Sequence, residues 1–148
     1  MAVVLAFILC LSNIMIGAYA TNSIPTVKYS DVQEDSWYYD AVNFVTAQGF
    51  MEGTDTGAFL PESSLTRSQF AKILYNMEGN PEAGNASTFT DVPTGKWYTD
   101  AVTWASNAGL VRGVGNGAFL PDESIRRQDL IVMTYGDAQY KECEITKR

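Results

Sequence analysis

The 148-residue chain carries 17 acidic and 10 basic side chains, a net charge of −7, and no histidine. That acidity argues against general affinity for nucleic acid or anionic membranes, and the missing histidine removes the commonest general base and transition-metal ligand. One of its two cysteines, Cys10, falls in an apolar leader; Cys143 is left alone in the remainder, where packing rather than a disulfide must hold the core.

Residues 1–20 read as a signal peptide. Ala2 to Ala20 is uncharged, runs through Val3, Leu5, Phe7, Ile8, Leu9 and Leu11, and closes on Ala18-Tyr19-Ala20. An apolar run followed by A-x-A is a cleavage pattern. No Lys or Arg precedes the run, and an uncleaved membrane anchor is the alternative. A polar lead-in follows over residues 21–30.

From Asp31 the chain repeats itself at a shift of sixty residues. Asp31–Phe70 aligns without a gap on Asp91–Leu130, and 16 of those 40 positions are identical, enough to read both as one supersecondary unit. The repeats occupy residues 31–77 and 89–140, joined by a Gly/Asn/Ala/Ser-rich linker over 78–88 and followed by a tail over 141–148. A unit this small cannot bury its own apolar face, so stability must come from docking on a neighbour.

Each repeat is predicted as helix, loop, helix, giving a mainly α fold. The first helix is expected from Ser36 to Gln48, capped by Asp35 or Ser36, with Tyr38, Ala41, Val42 and Val45 on one face. Gly49 follows where a left-handed C-terminal cap is wanted. Trp97 to Gly109 copies the design with Tyr98, Ala101, Val102 and Ala105. In the loop, Gly53 and Gly57 permit tight geometry and Phe59 is the expected plug. The second helix starts at Thr66, where Thr66 and Gln69 form a capping box, and its expected stripe is Phe70, Ile73, Leu74 and Met77. In repeat two Arg126 and Asp129 replace the cap, and Leu130 and Met133 are followed by polar Thr134 and Asp137. That predicts a weaker helix, or Asp129 acting as a first-turn dipole partner.

The order Asp-Val, Trp-Tyr-x-Asp-Ala-Val, Gly-x-x-x-Gly, Gly-x-Phe-x-Pro and Leu-Thr-Arg resembles the S-layer homology (SLH) module; both copies match across nearly their full length, although repeat two has lost the threonine of the last motif. The resemblance implies tandem helix-loop-helix repeats packed into a helical bundle. It also implies a non-catalytic role, holding exported proteins on the bacterial surface by binding anionic secondary cell-wall polysaccharide, often pyruvate-ketal-bearing, in grooves between modules. No cofactor is implied. Three modules usually assemble in this family. Two are present here, so the residues from Tyr135 onward read as the lead into a third, and a third repeat or another chain is expected to complete the bundle. The alternative function is a protein–protein assembly module of a surface-layer protein.

The resemblance places ligand-binding roles on Thr66 and Arg67, on Arg127 by position, and on Trp37, Trp97, Asp31, Asp91, Gly53 and Gly113 as groove-forming residues. An arginine can grip a carboxylate through two parallel hydrogen bonds; the plainer alternative for Arg67 is an ion pair with a neighbouring acid. An indole face can cover a sugar ring or simply pack. The two aspartates suit turn formation as well as sugar contact, and the two glycines suit backbone conformation. Arg67, Arg112, Arg126 and Arg127 are expected to gather into a basic groove. The loop Thr54-Asp55-Thr56-Gly57 lacks the alternating acids of a calcium site, and its copy has none. Most acids fall in turns and first helical turns, and the repeats use up the chain, which leaves no separate catalytic unit.

Overall fold

A computed structural model describes residues 29–146, with side chains through residue 142. The expected leader therefore lies outside the described residues. Four helices follow in order: α1 (Tyr39–Ala47), α2 (Arg67–Met77), α3 (Thr99–Asn107) and α4 (Arg127–Thr146). Among the described residues there is no sheet, only isolated bridges at Thr66–Ser124 and Gly115–Ala118.

Helix α1 starts three residues later than the Ser36 expected from sequence, and Tyr38 at its N-cap makes no side-chain cap. Two successive turns explain the delay: Ser36 N–H donates to Gln33 O (3.1 Å) and Tyr39 N–H to Ser36 O (3.0 Å), which uses up Ser36 before the helix begins. In repeat two Thr99 Oγ1 fixes the same turn by accepting from Lys96 N–H and donating to Pro93 O. Both first helices end as anticipated. Gly49 and Gly109 take φ of +70° and +78°, and the next amides, Phe50 and Leu110, reach back to Val45 O and Ala105 O. That pattern satisfies carbonyls the helix end would otherwise leave open.

The Thr66–Gln69 capping box is present: Gln69 N–H donates to Thr66 Oγ1 (3.2 Å) and Thr66 N–H to Gln69 Oε1 (2.8 Å). The buried face of α2 matches the expected stripe only in part: Leu74 is buried and Phe70 packs against the core, but the face is rotated toward other residues. Arg67, Ser68, Ala71, Leu74 and Tyr75 are buried, whereas Met77 is exposed. Ala71 joins the core shared with repeat two and Ser68 lies at the Pro121 carbonyl, and an apolar pattern count passes over both a serine and an arginine.

The core is therefore shared unequally. Ala71, Leu74 and Tyr75 of repeat one join a cluster otherwise built from repeat two, around Val102, Leu110 and Phe119. Trp104 on α3 stands between Tyr75 and Tyr140, with ring centroids 5.6 and 5.5 Å away. Helix α4 is longer than its copy and continues through residues expected to weaken it. Gly136 lets α4 lie close against Leu110, since a Cβ there would lie 2.8 Å from Leu110 Cα. Lys141 then bridges the buried Asp137 and the mostly buried Glu78, each at 2.9 Å. The linker is held as well: Asn107 Nδ2 donates to Ala83 O and Asn85 O.

Candidate functional site

The seam between the repeats begins at the N-terminus of α2. Helix starts leave amides without partners, and here repeat two supplies them: Arg67 N–H donates to Glu123 O (2.9 Å) and Ser68 N–H to Pro121 O (3.0 Å). Ile125 N–H returns the contact to Leu65 O (2.9 Å). Arg67 itself is 3% exposed. Its Nε donates to Phe119 O (2.8 Å), one Nη to Arg112 O (3.1 Å), and the other pairs with Asp129 Oδ2 at 3.0 Å. The guanidinium carbon lies 4.7 Å from the centroid of the Phe119 ring. A desolvated cation over an aromatic face, with its N–H groups on carbonyls and a carboxylate, is a strongly bonded arrangement.

Beside Arg67 opens a cleft of about 530 Å³, lined among others by Arg112, Gly113, Glu123, Arg126 and Asp129. The structure thus brings Arg67, Arg112 and Arg126 together and leaves Arg127 outside the lining, exposed at the first position of α4. Arg67 is buried and paired with Asp129, so the exposed cations of the cleft are Arg112 and Arg126. Glu123 is the remaining acid of the lining.

Asp31 and Asp91 grip their own repeats. Asp31 accepts the Phe59 and Leu60 amides at 2.8 and 2.7 Å, and Asp91 the Phe119 and Leu120 amides at the same distances. Leu60 and Leu120 sit at φ +60° and +59°, a conformation costing a non-glycine about 1–2 kcal/mol, and the two-amide grip holds each loop there. The Phe59 amide, followed by that of Leu60, keeps the Asp31 carboxyl below its ordinary range. For Asp91 burial pushes upward, but the Phe119 and Leu120 amides and the Arg67 charge prevail and lower it.

Gly53 and Gly113 are sites of close approach rather than unusual φ. A Cβ on Gly53 would run into the Tyr29 ring, and one on Gly113 would lie 2.8 Å from Ala118 O and 3.0 Å from Phe89 Cε1. Trp37 and Trp97 are 93% and 57% exposed, each edge-on to the following tyrosine, and neither lines the cleft. Thr66 serves the helix cap. Sequence reasoning did not foresee that Asp129 would pair with an arginine sixty-two positions earlier, nor that Phe119 would lie beneath that arginine. The repeat alignment carries the only signal, since an acid stands at position 129 where repeat one has Gln69.

The S-layer homology domain model matches residues 28–71 and 88–131, one match for each helix-loop-helix unit. The chain belongs to the S-layer homology family. Its relatives include the surface-layer 125 kDa protein of Lysinibacillus sphaericus, 36% identical over 114 residues, which is 72% of this chain and 9% of that protein. The S-layer protein sap of Bacillus anthracis is 32% identical over 99 residues, 67% of this chain and 12% of the relative. A cellulosome-anchoring protein of Acetivibrio thermocellus is 32% identical over 90 residues, 58% and 20%. The chain thus spans a fifth or less of each of these relatives. S-layer homology repeats are non-catalytic modules of cell-wall attachment, and among the described residues no three His, Cys, Asp or Glu side chains gather as a metal would require.

Proposed function

We propose that this chain anchors an exported protein to the bacterial surface by binding anionic wall polysaccharide in the cleft beside Arg67. What carries the reading is the convergence of Arg67, Arg112 and Arg126 on one cleft in a chain of net charge −7. Every nitrogen position of Arg67 is engaged by the seam, so Arg67 builds the cleft floor while Arg112 and Arg126 present guanidinium groups to an acidic sugar substituent, pyruvate ketal included. Trp97 and Trp37 offer exposed indole faces for sugar rings further along the polymer. Residues 1–20 supply export.

Cosedimentation with purified walls tests this. The R112A/R126A chain should lose wall binding by about tenfold or more, since each charge-assisted contact contributes about 1.5–3 kcal/mol. Walls stripped of their polysaccharide should fail to bind the parent. Undiminished binding in either arm overturns the reading.

A second reading, assembly with a further repeat or another chain, is supported by one observation. The face of α4 leaves Ile131, Val132 and Tyr135 at 62%, 51% and 64% exposure, an apolar surface of the kind that marks interaction sites.

A further inference from the structure

The internal seam has two halves, and each half has an unfilled copy sixty residues away. The inserting half is the face of α2, with Arg67, Ala71 and Tyr75. Its copy on α4 is Arg127, Ile131 and Tyr135, all exposed where the originals are buried. The receiving half is the surface of repeat two around Trp104 and Phe119, which are 3% and 0% exposed. Its copy in repeat one is Phe44, 46% exposed, and Phe59, half-buried. Among the described residues, one end therefore carries an uncovered insert and the other an uncovered socket, the condition for head-to-tail association.

The charges have changed in step. Inside the molecule, Arg67 rests on the Arg112 carbonyl and takes its carboxylate from Asp129. At the free socket Gln69 stands in place of Asp129, but Glu52 stands in place of Arg112. An acid is still supplied, now on the very residue whose carbonyl would receive the guanidinium. The insert has gained charge correspondingly, with Arg126 replacing Thr66 beside Arg127. Glu62 and Asp55 add further exposed acids to the loop of repeat one.

We infer that the occupant of the α4 face is a second copy of this chain, whose first repeat receives Arg127 as the second repeat receives Arg67. Arg127 lies over Phe59, donates to the Phe59 and Glu52 carbonyls and pairs with the Glu52 carboxylate. The inference rests on the assembly reading above and names its partner and register.

Sedimentation velocity of the full chain over a concentration series tests it, because Glu52 and Arg127 are both exposed and can be changed without disturbing the core. The parent should associate as concentration rises. E52R and R127E should each weaken association by about tenfold or more, since each sets like charges face to face. Mixing the two variants should restore it, because every seam in the mixture again joins opposite charges. A parent that stays monomeric overturns the inference and leaves the assembly reading to a partner other than a second copy. Association that ignores E52R and R127E, or is not restored by mixing, overturns this register and partner while leaving assembly by another surface.

Discussion

The two repeats share a sequence pattern and differ in what covers them. Phe119 is fully buried beneath Arg67, while Phe59, its copy, is half-buried against Tyr29 with ring centroids 5.3 Å apart. Trp104 is enclosed between two tyrosines, while Phe44 meets Phe50 edge-on and stays 46% exposed. Arg67 is buried and Arg127 exposed. Local structure is nearly the same in both units, down to the glycine caps and the aspartate grip. Burial is not. In a repeat protein the neighbour decides how much a given side chain contributes, because most stabilising contacts cross the seam.

The largest break in the comparison should come from the paired arginines. Arg67→Met strands Asp129 and two carbonyls at the seam, and removing one partner of a buried pair costs about 3–5 kcal/mol. Arg127→Met should fall within about 0.5 kcal/mol at a concentration where the chain is monomeric, as surface changes do. Urea unfolding midpoints measure both. Equal losses would mean that the seam does not separate the two repeats energetically. The ring beneath the cation gives a second, smaller contrast. Phe119→Leu should cost about 2 kcal/mol, since a desolvated cation–π contact is worth about that much. Phe59→Leu should cost less than half as much, because among the described residues no cation lies over that ring.

These contrasts also show what could be read from sequence. The repeat was legible from identity at a shift of sixty residues; the helix-loop-helix order, the Gly49 and Gly109 ends and the Thr66 capping box were legible because each depends on residues within a few positions of one another. The start of α1 was not, since Ser36 is claimed by turns that a capping residue also suits. The buried face of α2 was legible only in part, because its contact surface also takes in serine, alanine and arginine, which an apolar stripe passes over. For the candidate site, the gathering of Arg67, Arg112 and Arg126 could be anticipated from a register. The pairing of Arg67 with Asp129 could not, because it depends on how one repeat is rotated against the next.

A third contrast lies at the second helices' starts. Thr66→Ala removes the hydroxyl that accepts the Gln69 amide, a loss of about 1 kcal/mol. Arg126→Ala, at the same position of repeat two, should stay within about 0.5 kcal/mol. Thermal melting of the two single variants decides it, and a T66A chain as stable as the parent would show that the seam carbonyls alone satisfy that helix end.

The smallest effect should be the pH dependence set by the loop aspartates. Both carboxyls are held below their ordinary range by the loop amides, and Asp91 also by Arg67. A depressed folded value means that the grip is fully present above the unfolded value of about 3.9 and is lost as pH falls through the folded value. At pH 6 the parent should therefore be more stable than D91N or D31N. Below pH 3.9 the parent should fall toward the variants, whose own profiles flatten because one titrating group is gone. For Asp91 burial opposes the charged form while the loop amides and Arg67 favour it, so the same loss on acidification is expected of both aspartates. Unfolding midpoints at half-unit steps from pH 6 to pH 2 would show it. A parent whose margin over D31N and D91N is the same at pH 2 as at pH 6 would mean that the loop amides do not hold these carboxylates in their charged form.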